Sequence, residues 1–158
     1  MEVTVSWEKD LIFRGVADSG FPVNMDSKSS PETGVGPVEL VAIALAGCTG
    51  MDVISILVKK RQDVTGFTIK VHADRANDYP KVITRAALEY VLIGHALDEQ
   101  AVLIAIDRSI QKYCPVHAML EKAFPIDLRY SIYEDKQGGQ RELLKQGTYP
   151  HEDAADLQ

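Results

Sequence analysis

The chain has 158 residues, of which 46 % are apolar, and its formal net charge is −6. This length and apolar content are enough to fill one hydrophobic core, so we expect one main domain. The negative charge argues against nucleic-acid binding, because no net positive field is present to displace counterions from phosphates.

Alternating apolar residues predict two short strands near the N-terminus, at residues 3–7 and 21–25. A stretch rich in Ser, Pro and Gly follows over residues 27–36 and predicts a loop. The first seven residues have neither a basic nor an apolar leader segment, so we expect no signal peptide and a cytoplasmic location.

A long helix is predicted from Pro37 to about residue 60, because proline is tolerated at the first helical position. The helix is apolar on nearly all sides, which favours a central, buried position. Residues 38–58 are also long enough to span a bilayer, but they include Glu39 and Asp52. We therefore expect a core helix and no membrane partner.

The second half of the chain predicts a hairpin, two helices and a closing strand. Alternating stretches at residues 67–71 and 82–92 flank a turn, and Asp98 is placed to cap a helix that runs to about residue 112. Helical periodicity predicts that this helix faces inward through Ala101, Val102, Ala105, Ile106 and Ser109. A short helix over residues 114–122 and a strand over 126–132 follow.

This order of strands, long helix, hairpin, helices and strand predicts an α+β domain over residues 1–133. Residues 134–158 are polar, and we expect them to form a C-terminal extension.

Cys48 and Cys114 are the only cysteines, and sixty-five residues separate them. This spacing is too long for a zinc knuckle or a Cys-x-x-Cys redox loop. If the fold brings them together, the pair can pass between dithiol and disulfide, which would make the chain a thiol redox enzyme. Without an export signal, such a pair is more often catalytic or buried than a structural disulfide.

Cys114 precedes Pro115 at the predicted start of the third helix, where N–H groups stabilise a thiolate. From local sequence it is the easier cysteine to activate, and His117 offers a positive charge or a hydrogen bond. The alternative is a cysteine that caps a helix beside a surface histidine. Cys114-x-x-His117 supplies two metal ligands with one further cysteine in the chain, so we expect no metal site.

Cys48 lies between Gly47 and Gly50 in the predicted long helix. Each glycine costs roughly 1 kcal/mol relative to alanine, so either the close approach of another backbone or space for a ligand over the sulfur should offset this cost. The alternative is a small apolar residue at a tight helix crossing. Asp52 shares the helix face of Cys48 by i, i+4 spacing, and we expect a structural rather than a catalytic role for it.

The segments around both cysteines carry a recognisable pattern. Its residues are Gly36-Pro37, Glu39-Leu40, Ala44-Leu45-Ala46-Gly47-Cys48, Asp52-Val53-Ile54-Ser55-Ile56-Leu57 and Tyr113-Cys114-Pro115-Val116-His117. This pattern resembles the OsmC family of osmotically induced and organic-hydroperoxide-resistance proteins. The resemblance covers about residues 1–133 and implies an α+β fold with antiparallel sheets and a long central helix, in an intertwined homodimer with active sites at the subunit interface.

By this resemblance, Cys48 matches the peroxidatic cysteine and Cys114 the resolving one. A Cys48 thiolate would reduce an organic hydroperoxide and become a sulfenic acid, and Cys114 would then form a disulfide with it. An external dithiol reductant would restore both thiols. The resemblance thus implies an antioxidant stress-response enzyme that requires no metal and no bound cofactor.

Two positions depart from the characterised peroxidases. Asp18 stands in the turn where an activating arginine is expected, and Arg14 is the nearest arginine. The glutamate expected directly after Pro37 is displaced to Glu39, which lies nine residues before Cys48 and would reach a sulfur only from another chain. Arg14 and Glu39 are therefore our candidate activating residues. The alternative function is a non-catalytic, ligand-binding or redox-sensing dimer.

Overall fold

The computed structural model describes residues 1–27 and 33–150, and the chain divides into a first unit, Met1–Ile43, and a second unit from Ala44 onward. Part of the predicted loop, residues 28–32, and the end of the expected C-terminal extension, residues 151–158, lie outside the described residues.

The first unit contains a three-stranded antiparallel sheet of β1 (Val3–Lys9), β2 (Ile12–Ala17) and β3 (Pro22–Asp26), in that order. The first and third strands confirm the prediction. The sequence pattern missed β2, because its apolar residues occur in adjacent pairs rather than in alternation.

Helix α1 (Pro37–Lys59) begins where the sequence predicted. The Glu39 carboxylate accepts a hydrogen bond from the Gly36 N–H at 2.6 Å, which satisfies one of the N–H groups at the start of the helix. Within one chain, only one face of α1 is buried. Its members are Leu45, Thr49, Gly50, Val53 and Leu57.

The opposite side of α1 is exposed along a stripe formed by Gly47, Met51, Ser55 and Val58. We call these four residues the exposed α1 stripe. By length and composition alone α1 is apolar enough to cross a membrane, a property that it shares with core helices of soluble proteins.

The second unit is built on a four-stranded sheet in the order β4 (Asp63–Arg75), β5 (Ile83–His95), β6 (Ile126–Asp135) and β7 (Arg141–Tyr149). The hairpin β4–β5 and the closing strand β6 confirm the prediction. The sheet is mixed rather than wholly antiparallel, since β5 and β6 run parallel and need a crossover connection between them.

Strand β7 adds an antiparallel edge to β6, within the stretch that we expected to be a polar extension. Its side chains are mostly exposed, so it lacks the regular apolar alternation by which a strand is recognised in sequence.

The crossover between β5 and β6 carries α2 (Glu99–Arg108), a π-helical turn (Ser109–Tyr113) and α3 (Pro115–Leu120). The Asp98 side chain accepts a hydrogen bond from the Gln100 N–H, which confirms the predicted helix cap. The predicted inward face of this helix is buried, and its members are Ala101, Val102, Ala105, Ile106 and Ser109.

The core of the second unit lies between the helices and the central strands. Strands β5 and β6 bury alternate side chains against it, and burial of each large apolar side chain contributes about 1.5–3 kcal/mol. This packing fixes α1 from Leu45 onward and the crossover helices relative to one sheet. The fully buried members include Val53, Leu57, Leu88, Tyr90, Leu92, Val102, Ile106, Tyr130 and Ile132.

Candidate active site

The second unit brings Cys48, Asp52 and Cys114 together. The two Sγ atoms and a carboxylate oxygen of Asp52 all lie within 4.8 Å of one another. Cys48 and Asp52 occupy successive turns of α1, and Cys114 arrives from the crossover between β5 and β6. Sulfurs at this separation need only a small approach to reach the S–S bond length of about 2.05 Å.

The two cysteines differ in exposure, because Cys114 is buried while Cys48 is partly exposed. Burial raises the pKa of the Cys114 thiol to about 12, and the adjacent Cys48 acts in the same direction. The backbone N–H groups of His117 and Val116 oppose this shift, and that of His117 lies 3.3 Å from the Cys114 sulfur. The expectation that Cys114 is the easier cysteine to activate is therefore wrong, because desolvation outweighs the helix start.

Asp52 is held by a serine from the crossover. The Ser109 hydroxyl, which is fully buried, donates a hydrogen bond to Asp52 Oδ2 at 3.1 Å and lies 3.4 Å from the Thr49 carbonyl oxygen. This contact joins α1 to the π-helical turn, which is the structural role that we expected for Asp52. Among the residues that the structure describes, no Lys, Arg or His side chain forms an ion pair with Asp52.

Tyr90 reaches the same region from β5. Its side chain is fully buried, and its hydroxyl has no hydrogen-bond partner of ordinary geometry within the described part of the chain. Burial raises the pKa of Tyr90 to about 12. The charges of Cys114 and Asp52 also raise this pKa, whereas the Thr49 hydroxyl lowers it. Tyr90 is therefore a neutral buried donor beside the cluster.

Tyr90 was not predicted from the sequence as a site residue. The available signal was a tyrosine that alternates with two leucines in a buried strand, and no residue near it in sequence relates it to Cys48 or Cys114.

His117 is buried rather than at the surface, with 5 % of its area exposed. Its Nδ1 lies 3.6 Å from Glu121 Oε2, beyond hydrogen-bond distance. Burial lowers the pKa of His117 and outweighs the opposing charge of Glu121. The imidazole is consequently neutral at pH 7 and supplies no positive charge to Cys114. Its contribution is the backbone N–H described above.

Arg14 and Glu39 belong to the first unit. The Arg14 side chain is exposed on β2 and forms no hydrogen bond or ion pair within the described residues. Glu39 is engaged at the start of α1 through Gly36. Their assignment as activating residues stays a prediction.

Comparison with known proteins identifies the family. Residues 29–129 match the OsmC family model, which is described as OsmC-like protein. The chain belongs to the OsmC-like family. Protein YhfA of Escherichia coli strain K12 is 38 % identical over 132 residues, which cover 84 % of this chain and 98 % of YhfA.

Solved structures of OsmC-like proteins show the same α+β fold, as the sequence predicted. A hypothetical protein from Aquifex aeolicus VF5 superposes with a TM-score of 0.76 at 27 % identity, over 85 % of this chain and 97 % of that protein. The organic hydroperoxide resistance protein OhrB of Bacillus subtilis has a TM-score of 0.56 at 15 % identity, over 82 % and 96 % of the two chains, and shares the fold.

Proposed function

We propose that this OsmC-like protein is a thiol-dependent peroxidase that reduces organic hydroperoxides through Cys48 and Cys114. The supporting observation is the asymmetry of the thiol pair. The two sulfurs lie within 4.8 Å of each other, and only that of Cys48 belongs to a partly exposed residue. An accessible sulfur suits attack on a hydroperoxide, whereas a buried sulfur beside it is shielded from the peroxide and is placed to bond to the oxidised Cys48.

The first step is attack of the Cys48 thiolate on the terminal oxygen of the hydroperoxide. The O–O bond breaks, the sulfur becomes a sulfenic acid, and the leaving alkoxide takes a proton to become an alcohol. The Cys114 sulfur then bonds to the Cys48 sulfur, and the sulfenic hydroxyl leaves as water with the thiol proton. An external dithiol supplies two electrons, restores both thiols and itself becomes a disulfide.

An organic rather than an inorganic peroxide is favoured by the side chain next to one cysteine in sequence. Tyr113 directly precedes Cys114, and its side chain is half exposed. Apolar surface of this kind offers contact to an alkyl or aryl substituent, which hydrogen peroxide lacks.

The functional unit in this proposal is a homodimer. Each unit of the chain leaves apolar surface exposed, namely Val3, Val5 and Trp7 on β1 and the exposed α1 stripe. A second copy would bury such surface. In this proposal Arg14 or Glu39 of either subunit provides the contact that activates Cys48.

Steady-state consumption of cumene hydroperoxide with a dithiol reductant tests the proposal. We expect Cys48→Ser to abolish turnover, because the attacking sulfur is absent, and Cys114→Ser to consume about one equivalent and stall. Thr68→Ala, at an exposed position of β4, is the control and should retain activity. A Cys48→Ser protein with wild-type activity would rule out the peroxidase.

A redox-sensing dimer is the second candidate, and one observation favours it. The charged group beside the sulfurs is the Asp52 carboxylate, and no cation pairs with it among the described residues. A sensor would form the Cys48–Cys114 disulfide once per oxidation, without sustained turnover. Oxidation with one equivalent of hydroperoxide and no steady-state rate would select this function over the first.

A further inference from the structure

We propose that the reduced protein binds a zinc ion between Cys48, Asp52 and Cys114. Two thiolates and one carboxylate are ligand types that zinc accepts, and three protein ligands leave a fourth position for water. This is the cluster of potential ligands that the described residues place closely enough to share one ion. The binding site does not depend on hydroperoxide chemistry.

The separations fit such an ion after a small contraction. With Zn–S bonds of about 2.3 Å, two sulfurs in a tetrahedral site lie roughly 3.8 Å apart. The three ligand atoms here lie within 4.8 Å of one another, so the two sulfurs need to approach by no more than about 1 Å and each sulfur–oxygen pair by no more than about 1.3 Å. Rotation about the side-chain bonds of Cys48 and Asp52, both only partly buried, can supply this movement.

The charges also favour a cation. Asp52 is partly buried beside two thiols, and no basic side chain of the described chain pairs with it. Burying a carboxylate away from bulk water without a counter-ion costs free energy. A zinc ion that replaces the two thiol protons keeps the net charge of the cluster at −1 and gives the Asp52 carboxylate a cation to coordinate.

The surroundings resemble the outer shell of a metal site, in which hydrogen bonds orient the ligands. The Ser109 hydroxyl orients the Asp52 carboxylate at 3.1 Å, and the His117 N–H points at the Cys114 sulfur at 3.3 Å. The buried Tyr90 hydroxyl, which has no partner of ordinary geometry in the described chain, is available to the water that completes the zinc coordination.

From the sequence we expected no metal site, because Cys114-x-x-His117 offers two ligands and the chain has one further cysteine. In the proposed site the third ligand is Asp52, which lies beside both cysteines, and His117 is not a ligand. Zinc would bind the dithiol only, since sulfurs joined in a disulfide carry no thiolate charge. The ion and the disulfide are therefore mutually exclusive states of one pair.

Anaerobic titration of the reduced, full-length protein with Co²⁺, a spectroscopic substitute for zinc, tests the proposal. We expect a sulfur-to-cobalt charge-transfer band that saturates at one ion per chain and disappears when Zn²⁺ is added. Protein first oxidised with diamide, which accepts two electrons and two protons from the thiol pair, should give no band. Absence of the band in the reduced wild type would overturn the proposal.

Variants separate this site from simple thiol binding. Cys48→Ser and Cys114→Ser should lose the band, Asp52→Asn should weaken binding at least about 10-fold, and Ser109→Ala should weaken it by roughly 10- to 100-fold. Asp63→Asn, which removes an exposed carboxylate of β4, is the control and should bind as wild type. A cooperative urea-unfolding transition like that of the wild type verifies that Asp52→Asn folds. If that folded variant binds Co²⁺ as tightly as wild type, the assignment of Asp52 is wrong, whatever the peroxidase assay shows.

Discussion

Two tyrosines sit side by side in the parallel pair of strands, Tyr90 on β5 and Tyr130 on β6, and both are almost fully buried. Their hydroxyl groups differ. That of Tyr130 donates to Glu99 Oε1 at 2.8 Å, whereas that of Tyr90 has no partner of ordinary geometry among the described residues. A buried polar group without a partner costs about 1–3 kcal/mol, while a made hydrogen bond contributes about 1 kcal/mol.

Replacement by phenylalanine should therefore have opposite effects at these two positions. We expect Tyr90→Phe to raise the free energy of unfolding by about 1 kcal/mol and Tyr130→Phe to lower it by about 1 kcal/mol or more, because Glu99 loses its donor. Urea denaturation of the reduced protein with a metal chelator measures both. Tyr133→Phe on β6 is the control, and loss of stability in Tyr90→Phe would show that its hydroxyl has a partner.

Among the individual residues of the site, both cysteines could be identified from the sequence, but the residues that surround them in the fold could not. Cys48 and Cys114 stand out by rarity and by the residues beside them. The buried position of Ser109 was predicted from helical periodicity, yet its contact with Asp52 depends on how the crossover packs against α1. The pKa of Cys114 could not be predicted, because desolvation depends on residues distant in sequence.

Helix α1 and strand β4 approach each other closely at one glycine. A Cβ atom on Gly50 would lie 2.7 Å from Ile69 Cδ1, closer than such atoms ordinarily come. We expected another backbone to approach the glycines around Cys48, but the atoms nearest to a Cβ at Gly50 belong to side chains of β4. Gly47, by contrast, has no atom within 4 Å of such a Cβ.

A double-mutant cycle tests this contact. Gly50→Ala gains about 1 kcal/mol of helix propensity, but the Cδ1 methyl of Ile69 has to move aside, which offsets part of that gain. We expect Gly50→Ala to stabilise the Ile69→Val variant by up to about 1 kcal/mol and the wild type by less, since valine lacks the Cδ1 atom. Equal effects of Gly50→Ala in both backgrounds, measured by urea denaturation, would contradict this packing.

Among the elements, those with regular apolar periodicity were predicted and the others were not. Helix α1 and the β4–β5 hairpin have long, regular patterns. Strands β2 and β7 lack the alternation, and the π-helical turn differs from an α-helix by one extra residue per hydrogen bond. Hydrophobic pattern does not encode such a difference.

For the whole molecule, the exposed α1 stripe gives the proposed dimer its most direct test. We expect Met51→Glu to shift the protein toward monomer, because a carboxylate would be buried against the apolar surface of a second copy. Sedimentation velocity measures the change, and Lys122→Glu, at an exposed position after α3, is the charge-altering control. A Met51→Glu protein that sediments as a dimer would show that this stripe is not the contact.

The parallel pairing of β5 with β6 has a consequence for when the thiol pair exists. Cys114 lies in the connection that must span the sheet before β6 can add beside β5, and Cys48 precedes the entire β4–β5 hairpin. Long-range closures of this kind are among the later events of folding. The fold therefore holds the two sulfurs together only once the hairpin has formed and the connection that carries Cys114 has packed against α1.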